Sequence, residues 1–100
     1  MKPRTTEEIL EIVGKNGEAI RAFGVSSLAV FGSGVRGELG AQSDLDFVVE
    51  FERKSFDAYM DLKAFLEGLF DCPVDLVIKG AIKPRLRDPI LREAVHAPGL

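Results

Sequence analysis

Leu28-Ala29-Val30-Phe31-Gly32-Ser33-Gly34-Val35-Arg36-Gly37 and the run that answers it, Ser43-Asp44-Leu45-Asp46-Phe47-Val48-Val49-Glu50, decide how this chain is read. The first begins as a short, continuously apolar segment, as a buried strand requires, and ends in a glycine-rich turn. The second opens a strand with two aspartates at i and i+2. Strand side chains alternate faces, so Asp44 and Asp46 are expected on one side, with Leu45, Phe47, Val49 and Phe51 on the other. Neighbouring carboxylates repel each other and are stabilised by a cation. Beside a turn whose backbone N–H groups can face an anion, the natural cation is Mg²⁺, a hard ion that prefers oxygen ligands. A phosphate turn next to a metal pair suggests a nucleotide site.

The flanking segments frame this centre. Thr5 and Glu8 have capping-box spacing, and Ile9, Leu10, Val13, Ala19, Ile20 and Phe23 recur at helical spacing after them. Gly14 and Gly17 weaken that helix and place a break near Lys15-Asn16-Gly17; Gly24 closes it. The first strand is expected over Ser27 to Phe31 and the second over Leu45 to Phe51, with a helical turn at Val35-Arg36 between them. Ser55 caps a helix whose apolar stripe reads Phe56, Tyr59, Met60, Phe65, Leu66, Leu69 and Phe70, a core-facing pattern. Pro73 ends it, and Val74-Asp75-Leu76-Val77-Ile78 forms a third strand, with Asp75 and Val77 facing away from Val74, Leu76 and Ile78. Gly80 breaks the strand. Asp88-Pro89 reads as an N-cap followed by proline at the first helical position, with Ile90, Leu91, Ala94 and Val95 as the buried side of the last helix. Tyr59 reads as a core or rim aromatic and His96 as a tail residue.

Composition narrows the function classes. With 100 residues the expectation is one domain over 1–100, and 46% hydrophobic with 29% charged residues is the balance of a soluble globular chain. No apolar run is long enough to span a bilayer, and Met1 to Glu8 lacks the apolar core of a signal peptide. Cys72, the single cysteine, has no internal disulfide partner, and no Cys/His cluster suggests zinc. A cytoplasmic protein without membrane contact is expected. The net charge of -3 argues against holding nucleic acid by bulk electrostatics, although Lys79, Lys83, Arg85, Arg87 and Arg92 gather late in the chain, most simply as a solvated helix face.

Topology brings the chemistry together. If the first two strands pair antiparallel, the glycine turn and both aspartates fall at one edge of the sheet. The second-to-third connection contains a full helix, the length of a crossover, which makes those strands parallel and brings Asp75 to the same edge. Two carboxylates can hold the Mg²⁺ that bridges nucleotide phosphates. A third completes a second metal position, where an acceptor hydroxyl loses its proton and attacks in line. Gly32 lets the backbone approach the phosphates, and Ser33 offers N–H and hydroxyl donors. For Arg36 two roles stand open: neutralising charge on the leaving pyrophosphate, or anchoring the loop through backbone carbonyls.

Gly32-Ser33, Arg36-Gly37, Ser43-Asp44-x-Asp46 and Val74-Asp75-Leu76 together resemble the minimal nucleotidyltransferases of the DNA polymerase β-like superfamily. The ending, Lys83-Pro84-Arg85-Leu86-Arg87 followed by Ile90 to Val95, is also similar to members of that group. The resemblance implies an α/β nucleotidyltransferase fold, a mixed three- to four-stranded sheet in the order α-β-α-β-α-β-α. It also implies two Mg²⁺ ions and ATP as the source of a transferred AMP. Gly32 and Ser33 match the triphosphate-binding pair; Asp44, Asp46 and Asp75 match the metal-binding carboxylates. Minimal members are commonly antitoxins that adenylylate a tyrosine of a partner HEPN-type toxin, and the small size of this chain agrees with an acceptor supplied by a protein. Two alternatives accompany this expectation: neutralisation of the partner by occlusion alone, and modification of a small molecule. Homo- and hetero-oligomeric assembly both stay open.

Overall fold

The computed structural model describes residues 5–32, 45–53 and 55–97. Among these residues four strands form one mixed sheet: β1 (Val25–Phe31), β2 (Leu45–Phe51), β3 (Val74–Ile78) and β4 (Val95–His96), in the spatial order β3-β2-β1-β4. β1 and β2 are antiparallel, with Phe31 opposite Asp46; β2 and β3 are parallel, with Asp46 opposite Asp75. Both pairings follow the sequence expectation. The helices among the described residues are α1 (Thr6–Lys15), α2 (Gly17–Ala22), α3 (Phe56–Phe70) and α4 (Pro84–Glu93), with a 3₁₀ turn at Lys79–Ala81.

The first helical segment starts as its capping signal predicts: the Thr5 hydroxyl accepts the Glu8 N–H at 3.1 Å. It breaks at Asn16, whose side-chain amide donates to the Ile12 carbonyl at 2.8 Å. Gly24 then takes φ +87, the left-handed conformation that turns the chain into β1. β1 starts two residues before the expected Ser27. Val25 pairs with Phe51 and Ser27 with Glu50, so a bulge at Ser26 interrupts the alternation that marks a strand in sequence. The Ser26 hydroxyl donates to the Glu50 carbonyl across it.

Each face of the sheet has its own core. Leu28 and Val30 of β1, Leu45, Phe47 and Val49 of β2, and Val74 and Leu76 of β3 pack against Ile9, Val13 and Ile20, and against Leu62, Leu66 and Phe70 of α3. The opposite face carries a smaller cluster: Ala29, Val48 and Ile82, joined by Phe31, Val77, Ile90 and Ala94. Asp46 and Asp75 belong to that second face, since they alternate with Val48 and Val77.

Several expectations are corrected here. The buried line of α3 is Leu62, Leu66 and Phe70, spaced i, i+4, i+8, and Leu62 is absent from the stripe read in sequence. Phe56 is 78% exposed and Met60 44%, because these two residues, one turn apart, fall on the side of α3 turned away from the Leu62–Leu66 line. We therefore expect Leu62→Ala to destabilise the fold by about 2–5 kcal/mol and Phe56→Ser by well under ~1 kcal/mol, as read by urea unfolding. Asp71, not Pro73, terminates α3: it adopts the left-handed conformation (φ 53, ψ 42). The last helix begins at Pro84 instead of Pro89, since Pro84 already occupies the first turn, where a missing N–H costs nothing. Pro89 lies inside α4. Ile90 and Ala94 do pack inward, but Val95 and His96 leave the helix and pair as β4 with Val30 and Ala29. The Ala97 N–H extends this pairing to the Leu28 carbonyl at 2.9 Å. His96 is thus an edge-strand residue, not a loose tail.

Candidate active site

The site is built where β1 ends and β2 and β3 begin. Phe31, Asp46 and Asp75 form one row across the three strands. In-register neighbours on adjacent strands stand ~5 Å apart with side chains on the same face. Asp46 is half-buried and Asp75 exposed at the edge strand. Two like charges on neighbouring strands repel, less where solvent screens Asp75. That repulsion makes the row a place where a cation is stabilising.

Gly32 is fitted to this row by two constraints. Its φ is +70, a region that costs side-chain-bearing residues about 1–2 kcal/mol. A Cβ at Gly32 would also collide with Asp46 Oδ2 and stand 3.2 Å from its Cγ. The buried Gly32 backbone and the Asp46 carboxylate therefore share a space that no side chain can enter. This close approach of main chain to carboxylate is what a phosphate–cation site requires.

Of the six residues expected in the site, the structure places Gly32, Asp46 and Asp75 together. Ser33, Arg36 and Asp44, and the expected helical turn at Val35-Arg36, lie outside the described residues. Among the described residues no group of three or more acidic, His or Cys side chains is gathered to hold a metal. Asp46 and Asp75 supply two hard oxygen donors in register, a donor set that fits Mg²⁺ as far as it goes. His96 lies on the same face as the two acids but is displaced from their row, on the far side of β1. Two cavities lie elsewhere. One of about 510 Å³ sits at the α1–α2 junction between Gly14 and Arg21; one of about 380 Å³ is lined by Ser55, Phe56, Tyr59 and Ile78 at the other end of the strands.

Sequence reasoning missed the polar contacts from α3 that hold β3. The Tyr59 hydroxyl donates to the Leu76 carbonyl at 2.6 Å, and Glu67 Oε2 accepts the Val74 N–H at 3.0 Å. Tyrosine within an otherwise hydrocarbon stripe was the available signal for the first. Glu67 carries none, because an acid on a helix ordinarily reads as solvated.

Comparison with known proteins agrees with this geometry. The model of the nucleotidyltransferase domain family matches residues 7–96. The protein adenylyltransferase MntA of Thermococcus cleftensis is 40% identical over 94 residues, covering 92% of this chain and 95% of that protein. A solved structure assigned as a minimal nucleotidyltransferase superposes with TM-score 0.71 at 40% identity, covering 86% of this chain and 93% of the other. A structure of a tri-AMPylated Shewanella oneidensis HEPN toxin in complex with an MNT antitoxin shares the fold with TM-score 0.64 at 18% identity, over 91% of this chain and 73% of the other. The chain belongs to the nucleotidyltransferase family, as an enzyme of the minimal type. No helix among the described residues is long and apolar enough to cross a membrane.

Proposed function

We propose that this chain transfers AMP from ATP to a hydroxyl of a HEPN-type toxin, a tyrosine in our reading, and silences that toxin as its antitoxin. The observation that carries the proposal is the in-register pair Asp46–Asp75 beside the side-chain-free space at Gly32. The 40% identity to a protein adenylyltransferase over nearly the full length of both chains supports adenylyl transfer to a protein. The structural neighbour that holds an AMPylated HEPN toxin supports that class of acceptor.

In this reading Gly32 and Ser33 receive the triphosphate, Arg36 neutralises charge on the pyrophosphate or anchors the loop, and Asp44, Asp46 and Asp75 would hold two Mg²⁺ ions. Bound there, Mg²⁺ neutralises the phosphate oxygens and lowers the pKa of the attacking hydroxyl. Asp75 is exposed on the edge strand, which in this reading leaves it open to a protein acceptor. The hydroxyl oxygen forms a bond to the α-phosphorus of ATP, the bond from that phosphorus to the leaving pyrophosphate breaks, and the hydroxyl proton is released. Asp46, half-buried and wedged against Gly32, would act through the cation it holds, against which the α-phosphate is aligned for in-line attack.

The proposal is tested by incubating the chain with Mg²⁺, a HEPN toxin and each of the four ribonucleoside triphosphates labelled at the α-phosphate. Label from ATP is expected on the toxin, and none when its acceptor tyrosine is changed to phenylalanine. Protection of cells by an Asp44→Asn/Asp46→Asn double variant as full as by the unaltered chain would favour silencing by occlusion instead.

A further inference from the structure

We propose that Tyr59 and Glu67 are positioning residues for Asp75: two side chains of α3 that clamp edge strand β3 on either side of that carboxylate. This rests on the reading of Asp75 as a site acid. Among the described residues β3 has a neighbouring strand on one side only, since the sheet order is β3-β2-β1-β4. The Leu45 N–H donates to the Pro73 carbonyl at 3.1 Å. In a parallel ladder, alternate residues turn their polar groups to the neighbouring strand. With Pro73 and Asp75 facing β2, the N–H of Val74 and the carbonyl of Leu76 face outward, to the open edge. Those are the two groups that α3 takes up: Glu67 Oε2 accepts from Val74 N–H at 3.0 Å, and the Tyr59 hydroxyl donates to the Leu76 carbonyl at 2.6 Å. Both bonds are partly buried, and they bracket Asp75.

The consequence is a fixed register at the place where register matters most. Asp75 is the second residue of a five-residue edge strand, where fraying begins. A slip of β3 by one residue would turn Asp75 onto the core face, and a slip by two would set Pro73 or Val77 beside Asp46. The pairing with β2 opposes this from one side, and Tyr59 with Glu67 from the other. Neither side chain reaches the acid row itself. Tyr59 packs against the core of the opposite face, so each acts through the β3 backbone.

The test uses Tyr59→Phe, which keeps the ring in the core, together with Glu67→Ala and Glu67→Gln, the last retaining an acceptor oxygen. Transfer to a HEPN toxin should fall about tenfold in kcat for Tyr59→Phe and for Glu67→Ala, with KM for ATP within about twofold, and Glu67→Gln should recover most of the loss. Two readouts do not depend on turnover. Mn²⁺ titrated alone, followed by water-proton relaxation, should bind several-fold more weakly to Tyr59→Phe. Amide exchange should accelerate at Leu76 and Val77 while Leu28 and Phe47 keep their protection. Wild-type kcat and Mn²⁺ binding in both loss variants would overturn the proposal. So would losses accompanied by uniformly faster exchange, which mark a merely structural role. Asp75→Asn serves as the control: if it transfers AMP at the wild-type rate, the reading of Asp75 fails, and the clamp has no site to serve.

Discussion

Gly32→Ala is expected to lower kcat/KM for AMP transfer by about 10²–10³ while destabilising the fold by only about 1–2 kcal/mol. The stability cost is that of a β-carbon at φ +70. The larger kinetic cost has a separate origin. The new methyl group would occupy the space of Asp46 Oδ2 and stand 3.2 Å from Cγ, so the carboxylate must rotate out of its place in the row or β1 must retreat from β2. Either movement separates the glycine turn from the carboxylate that the proposed mechanism uses to hold the cation. Thermal unfolding and steady-state kinetics on the same preparation separate the two effects. A well-folded Gly32→Ala with near wild-type turnover would show that close approach of the turn to Asp46 is dispensable.

The second large effect concerns the acid pair. Asp46→Asn is expected to reduce transfer at least ~10³-fold, because it halves the charge of the in-register pair while preserving its shape. Asp75→Asn is expected to reduce transfer at least ~10²-fold and, without divalent cation, to raise the unfolding temperature or leave it unchanged, since the substitution relieves repulsion at the exposed edge. Adding Mg²⁺ should stabilise the unaltered chain, as a ligand that binds only the folded state does. That stabilisation should shrink in either variant. Loss of activity with an unchanged response to Mg²⁺ would mean that the acids serve chemistry but not metal binding.

The meeting of Gly32, Asp46 and Asp75 at one end of the sheet was legible in the sequence because it is carried by backbone pattern. The Asp44-x-Asp46 alternation, the glycine turn and a crossover-length helix before Asp75 fix faces and strand directions, and the observed registers Phe31↔Asp46 and Asp46↔Asp75 follow from them. The capping residues Thr5 and Ser55 were legible for a similar reason: each is a local bond, at 3.1 and 3.3 Å, between residues three apart. What escaped depends on tertiary contact. Leu62 lies within a helix hydrophobic on several sides, and only the position of the sheet selects Leu62, Leu66 and Phe70 over Phe56 and Met60. Asp88-Pro89 was read as the start of the last helix, whereas Pro84, equally suited to a first turn, is where α4 begins. Val95 and His96 carry no strand signal of their own at two residues in length; they become β4 because the outer edge of β1 is there to be paired. Tyr59 and Glu67 meet β3 only after α3 has packed, so their bonds to Leu76 and Val74 have no local signature.

Intact-mass spectrometry of a HEPN toxin incubated with this chain, ATP and Mg²⁺ tests the central claim most directly. A gain of one or more whole AMP units on a tyrosine is predicted, with none when Asp46→Asn replaces the unaltered chain. A toxin that stays at its own mass while bound and silenced by the chain would contradict adenylylation as the means of silencing.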